Sequence, residues 1–213
     1  KRQDINWPVA ANMNRMRWDE DLATVAQSYA DECNYGHNSS RGTDYAALTG
    51  LTGPAVGENI AARWTSWPTG STEAINALET AFSGWNGEHD DWHYDTINDD
   101  SWNSGFGHFT QHVWANTTRV GCGQAWCRDG NLYMVFTVCN FYTAGNYWGQ
   151  YPYLSGNDVC TEGIQAGDTC ENCLITQQTY STGIDYECDV NGDELLGLEE
   201  LIVALRILTG AVQ

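Results

Sequence analysis

The sequence predicts an α+β fold stapled by disulfides, and three observations carry that prediction. Apolar residues recur at helical spacing in two separate stretches. A run of strand length, Leu132 to Phe141, is apolar and β-branched and follows a Gly-Cys-Gly sequence that reads as a turn, which implies a hairpin. The cysteines number eight, an even count that points to paired thiols in an oxidising compartment.

The elements follow in chain order. Lys1 to Pro8 is a polar lead-in. A helix is expected from about Ala10 to Cys33, because Leu22, Val25, Ala26, Tyr29 and Cys33 fall on one face; Asp19 to Asp21 either interrupts it or caps its second half. Asn34 to Gly57, with five glycines, reads as loop, and Gly57-Glu58-Asn59-Ile60 opens a short ordered piece. Ser66 to Ser71, with Pro68 and Gly70, is a turn region. A second helix runs from Ser71 or Thr72 to about Trp85, with Thr72 available as its cap and Ile75, Leu78, Phe82 and Trp85 along one face. Gly87 to Ser104 is an acidic loop, and the hairpin region, punctuated by Cys122, Cys127 and Cys139, follows. Residues 154–187 are polar, contain Cys160, Cys170 and Cys173, show no helical or strand period and read as a disulfide-tied linker. Cys170-Glu171-Asn172-Cys173 also has redox or zinc spacing, but a structural disulfide role suits an acidic, loop-rich setting better.

Composition narrows the partners. The 213 residues include 28 acidic and 9 basic ones, a formal charge of −19, which repels phosphate backbones and anionic headgroups; nucleic acid is excluded as a partner, and divalent cations are a natural one. No apolar run approaches the ~20 residues of a membrane-spanning helix. The lack of an initiator Met and of a signal peptide is that of a mature secreted protein, extracellular or at a cell surface. Ten tryptophans and eleven tyrosines make either an aromatic core or a surface that stacks on sugars and other rings, and the core is the favoured reading.

The last segment, 188–213, has its own chemistry. Asp189, Asn191, Asp193 and Glu200 stand at positions 1, 3, 5 and 12 of an EF-hand-type loop, with the Leu195 carbonyl at position 7 and water expected beside Gly197 at position 9. This set points to Ca2+ and resembles a single calcium repeat of the dockerin kind. Glu194 occupies the position where the sharp turn favours glycine, at a cost of roughly 1–2 kcal/mol. The alternative is an acidic helix N-terminus stabilised by the dipole without an ion. The helix that follows presents Leu198, Leu201, Ile202, Leu205 and Leu208, a face that must pack on the rest of the chain or on another molecule.

Two longer motifs carry a family resemblance. GHFTQHVWANT, from Gly107, and CNFYTAGNY, from Cys139, resemble the two signatures of the CAP superfamily (cysteine-rich secretory, antigen 5 and pathogenesis-related-1 proteins). The GCGQAWC link and the GNYWGQYPY tail are most similar to the plant pathogenesis-related-1 members. The resemblance implies an α-β-α sandwich of the CAP type over residues 1–153. It also implies a cleft with two histidines and two carboxylates, and it assigns them: His108 from GHFTQ, Glu58 from GENI, Glu88 from the Trp85-Asn86-Gly87-Glu88 sequence and His37 from CNYGHNS. Two imidazoles can bind Zn2+ or a similar divalent ion, with the glutamates accepting the distal N–H of each ring; two protein ligands imply modest affinity. Glu58 and Glu88 are also the candidate bases if a metal-bound water were the nucleophile. The remaining reading is a buried polar cluster without turnover. No HExxH helix or GxSxG elbow is present, so metal binding without catalysis is favoured. His112, four residues after His108, is read as a packed side chain.

The resemblance further implies Cys33–Cys127 and Cys122–Cys139 pairings, the first closing a loop worth ~3–4 kcal/mol in the chain-entropy picture. Cys160, Cys170, Cys173 and Cys188 then pair among themselves, with three connectivities open. Two sequons, at Asn38 and Asn116, lie near the cleft. Three functions compete in this order: a binding protein holding a metal and a sterol or other lipid, a calcium-dependent surface or matrix assembly protein using its last helix as the contact, and a metal-assisted hydrolase.

Overall fold

The computed structural model describes residues 8–66, 71–90, 92–103, 105–158, 160–163, 168–171 and 174–176. The chain divides into two units, Met16–Pro152 and the described parts of Lys1–Arg15 with Tyr153–Gln213.

The unit Met16–Pro152 is built on a four-stranded sheet in the order β2 (Arg17–Trp18), β4 (Arg119–Asp129), β5 (Leu132–Tyr142), β3 (Gly57–Thr65). The β2–β4 pair is parallel and the other pairs are antiparallel. Strands β4 and β5 are joined by Gly130 and Asn131, with Asp129 opposite Leu132. Gly130 has φ +59°, as the first central residue of a two-residue hairpin loop requires.

Side chains alternate across the sheet, so each face has its own layer. On one face lies α1 (Glu20–Asp31), whose Ala26, Tyr29 and Ala30 pack with Ile60, Phe136 and Val138. Leu22 and Val25 of the same helix pack with Tyr45 and Val56. A Cβ added at Gly123 would lie 2.3 Å from the Gln27 backbone, and one at Gly121 2.2 Å from the Ala23 nitrogen, so the helix backbone rests directly on these two positions of β4. On the other face, α3 (Ser71–Gly87) brings Phe82 and Trp85, both buried, toward α5 (Gly107–His112) and Phe141.

Several sequence expectations are corrected. The first helix begins at Glu20, not near Ala10: Asp19 caps it, accepting the Leu22 amide at 2.9 Å, and the preceding residues supply the short strands β1 (Val9–Ala10) and β2. The Asn34–Gly57 stretch is not all loop, because α2 (Arg41–Thr49) forms within it and ends at Gly50, φ +72°. Gly57–Ile60 opens a strand that continues to Thr65. The Gly121-Cys122-Gly123 sequence is strand rather than turn; its glycines serve the close approach of α1. The acidic loop contains a short 3-10 turn, Glu88–Asp90, and the short helix α4 (Asp99–Asn103).

In the other unit, β1 pairs antiparallel with β6 (Ser155–Gly156), and the Tyr153 hydroxyl donates to the Pro8 carbonyl at 3.1 Å. The stretch read as lacking strands also contains β7 (Thr169–Glu171) and β8 (Leu174–Thr176), an antiparallel pair. Three disulfides close in the described residues: Cys33–Cys127, Cys122–Cys139 and Cys160–Cys170. The first two are the pairs that the resemblance implies, and the third selects among the open connectivities. Cys173, Cys188, the residues expected to form a calcium loop (Asp189, Asn191, Asp193, Leu195 and Glu200) and the helix expected after them lie outside the described residues. Among the described residues no helix is long and apolar enough to cross a membrane.

Candidate functional site

The four residues that the resemblance assigns to a cleft arrive from four separate elements and form two histidine–carboxylate pairs. The His37 Nδ1 stands 2.8 Å from Glu58 Oε1, and His108 Nδ1 stands 2.6 Å from Glu88 Oε1. A carboxylate accepts only, so each pair places the proton on Nδ1 and leaves the Nε2 lone pair directed away from the carboxylate. The His37 side chain is 59% exposed while that of Glu58 is 0% exposed, so the carboxylate is sealed and the ring's far edge meets solvent.

Local structure explains each placement. Glu88 sits in the 3-10 turn that ends α3, and its Oε2 accepts the backbone amides of both His108 and Phe109 at 3.0 Å. It thereby caps α5, whose own N-cap, Phe106, has no side chain able to do so. His108 also stacks on the buried Trp85 ring, centroids 5.6 Å apart. His37 lies in the loop after α1, which three contacts hold. Cys33 at φ +57° turns the chain and is tied to β4 through Cys127. The Tyr29 hydroxyl donates to the Gly36 carbonyl at 3.0 Å, and burial, with Glu58 and Glu32 nearby, pushes its pKa up so that it stays a donor. The Asn38 amide donates to Glu58 Oε1 at 2.9 Å.

The two pairs meet at β3. Glu58 and Asn59 are consecutive and point to opposite faces. Glu58 serves His37 on the α1 face, while the Asn59 amide donates to the His108 carbonyl at 3.1 Å on the α5 face. Among the described residues no three His, Cys, Asp or Glu side chains gather as a metal-ligating group, so the site consists of two oriented imidazoles rather than a cage. The Glu58 Oε2 is buried without a partner, which marks unspent acceptor capacity beside His37.

Sequence reasoning missed the residues that hold these pairs. Arg41 clamps the site from α2, donating through Nε to the Val56 carbonyl at 2.7 Å and through Nη1 to the Asn38 carbonyl at 2.6 Å. The second motif clasps α5: Asn146, at φ +59°, donates to the Gly107 carbonyl and accepts from the Thr110 hydroxyl. The buried Gln111 accepts the Gly145 amide and donates to Thr117. Asn38 of the first sequon is buried, its Oδ1 accepting the Ser40 amide, while Asn116 is exposed.

His112 does not join the pairs. Its ring stacks on Phe82 at 5.6 Å and meets Trp85 and Phe141, and its Nε2 is buried without a partner. Burial, and then the neighbouring His108, push its pKa from 6.5 down to about 3. The unfolded chain takes up this proton near 6.5, the folded one only near 3, so the neutral form's contribution is complete above pH 6.5 and is lost as pH falls toward 3. Thermal midpoints followed from pH 7 to pH 4 should therefore fall, and His112→Phe, which keeps the stacking, should flatten the slope. An unchanged slope would show that other groups set it.

Residues 9–141 match the model of the cysteine-rich secretory protein family, CAP. The salivary antigen-5 of Dipetalogaster maximus is 36% identical over 72% of this chain and 57% of its own length. The peptidase inhibitor 16 of Mus musculus is 34% identical over 78% of this chain, which spans 30% of that longer protein. The chain thus spans less than two thirds of either relative. Among solved structures, NaASP2 with Zn2+ superposes with a TM-score of 0.58 at 26% identity, covering 73% of each chain. With the sandwiched sheet, the cross-strand disulfide and both motifs in place, the chain belongs to the cysteine-rich secretory protein (CAP) family.

Proposed function

We propose that the chain is a secreted extracellular binding protein, nearest in kind to the plant pathogenesis-related-1 members, that holds a divalent ion, Zn2+ first, through His37 and His108. A sterol or other lipid is the second ligand in this reading. The observation that carries it is the matched use of Nδ1 by Glu58 and Glu88, which orients both imidazoles as ligands while Nε2 remains available. Bound there, the ion would supply Lewis acidity, with solvent completing its coordination. The NaASP2 structure with Zn2+ supports the same choice of ion.

The residues argue against turnover. Glu88 accepts three N–H groups through its two oxygens, and Glu58 accepts two through Oε1 while its Oε2 is buried. Neither carboxylate is placed to take a proton from a substrate or a water, so the hydrolase reading ranks last.

The layout carried with this proposal is a CAP domain over 1–153, a disulfide-tied linker over 154–187 and a dockerin-like loop and helix over 188–213, with Ca2+ on Asp189, Asn191, Asp193, Leu195 and Glu200. Cys173 and Cys188 are the remaining pair. The spacing of those acidic residues favours a second reading, calcium-dependent assembly through the last helix.

Zinc titration by calorimetry tests the first reading. One ion should bind, and His37→Ala or His108→Ala should abolish the heat; Glu58→Gln and Glu88→Gln should weaken binding roughly 10–100-fold, as loss of an orienting carboxylate does. Equal affinity in both histidine variants would remove the site. Native mass spectra with and without chelator separate the readings: a monomer with a lipid-sized adduct supports the carrier, and a chelator-sensitive oligomer supports assembly.

A further inference from the structure

Outside the histidine pairs, the same unit carries an aromatic wall. The loop after the 3-10 turn and the tail of the second motif run antiparallel and are clasped at their middle: the Ile97 amide donates to the Gln150 carbonyl at 2.9 Å, and the Gly149 amide donates to the Ile97 carbonyl at 2.7 Å. An aromatic pair stands at each end of the clasp. Tyr94 and Tyr151 stack at 4.8 Å and 16°. Trp102 and Trp148 meet at 5.8 Å and 54°. Trp102, Trp148 and Tyr151 are 48%, 55% and 45% exposed, an unusual cost for rings that the core could have taken.

The wall is rigid from below. Ile97 is fully buried under the clasp, Trp92 packs beside Tyr94 and on Phe109, and the Trp102 ring covers Gly107 at the start of α5. Rings held in this way lose little freedom when a ligand covers them. Polar groups lie between the pairs: Asn98 and the exposed Gln150 at the clasp, and Asp99 and Asp100 beside Trp102.

We propose that this wall binds a neutral polysaccharide chain, whose sugar rings stack on Trp102, Trp148 and Tyr151 while their hydroxyls bond to the amides and carboxylates between. The chemistry of the surface selects the class. Residues 92–103 and 142–153 contain no Lys or Arg, and the chain carries −19 overall, so phosphates, sulfated glycans and anionic bilayers have no counter-charge here. A cationic peptide is the competing occupant. Against it, the Asp95 carboxylate is already taken, accepting the Thr96 amide at 2.6 Å and the Asn98 side chain at 3.3 Å, so the carboxylates of the wall are confined to Asp99 and Asp100 at one end, while the rings run its whole length. The inference does not depend on the metal reading, since none of these residues is a proposed ligand.

The test uses the full chain, in chelator, titrated with cellohexaose, chitohexaose and xylohexaose, alongside a hexalysine peptide. At least one sugar should bind saturably with little response to salt. Trp148→Ala and Tyr151→Ala, both at exposed positions, should each weaken that binding tenfold or more, with the near-ultraviolet circular dichroism otherwise preserved. Trp148→Phe should retain most of it. Absence of binding to all three sugars, equal binding by the alanine variants, or binding of hexalysine alone with strong salt dependence would overturn the proposal. Because zinc is absent throughout, a failure here leaves the zinc titration unaffected.

Discussion

Replacing Cys33 and Cys127 together with alanine should lower the unfolding free energy by about 4 kcal/mol, the largest effect among the three bridges of the described residues. The bridge joins residues 94 apart, and the chain-entropy cost of an open loop grows with its length. The Cys122–Cys139 bridge spans 17 residues between directly opposed positions of β4 and β5, which the strand register already holds, and its removal should cost about 3 kcal/mol or less. Urea unfolding of the two double variants under non-reducing conditions gives both numbers. The first variant should also lose zinc affinity, because Cys33 anchors the loop that carries His37. Equal stability losses would mean that loop length does not govern here. A normal zinc titration in the first variant would mean that Tyr29 and Glu58 suffice to hold His37.

Gly123→Val should be comparably damaging for a different reason. The added Cβ would stand 2.3 Å from the backbone nitrogen and Cα of Gln27, and backbone cannot swing aside as a side-chain end can. Helix α1 must lift from β4, breaking the Gln27 side-chain bonds to the Gln124 amide and carbonyl and opening the layer of Ala26, Ala30 and Phe136. Overpacking of this kind costs about 1–3 kcal/mol, and rigid backbone puts this case at the top of that range or above it. Gly84→Ala is the matched control. Nothing lies within 4 Å of its added Cβ, and an alanine inside α3 should stabilise by roughly 0.5–1 kcal/mol. If Gly123→Val melted with the parent, the close seat of α1 on the sheet would be disproved.

That glycine shows where the sequence misleads. Gly121-Cys122-Gly123 has the composition of a turn, and composition cannot distinguish a glycine that bends the chain from one that clears space for a neighbouring backbone. Helix α2 was illegible for another reason: among its residues only Tyr45 is buried, so no apolar stripe marks it, and Gly42 and Thr43 have poor helix propensity. The expected first helix is too long because its apolar face, Leu22 to Cys33, does not itself mark a start, and the Asp19 carboxylate fixes that start at Glu20. By contrast, α3 is legible because its helical periodicity is strong, and β5 because a continuous apolar, β-branched run of strand length marks a strand buried on both faces. The candidate site was legible as residue types attached to motifs, and the structure pairs those residues as two couples. Asn59, Gln111, Arg41 and Asn146 were not legible. Each acts through a backbone carbonyl or amide far away in sequence, and such a partner leaves no trace in local pattern.

One strand holds both halves of the site. On β3, Glu58 and Asn59 reach opposite faces, and β3 is an edge of the sheet, paired only with β5. The assignment is one of parity. Were β3 to slip by a single residue against β5, either Glu58 would take the place of Asn59 and face the His108 carbonyl, two acceptors with no proton between them, while Gly57 came opposite His37, or Asn59 would take the place of Glu58 while Ile60 left that carbonyl without a donor. Either slip costs at least one of the two contacts. An edge strand, ordinarily the part of a sheet most free to shift, is thus proofread by the two histidines that it holds.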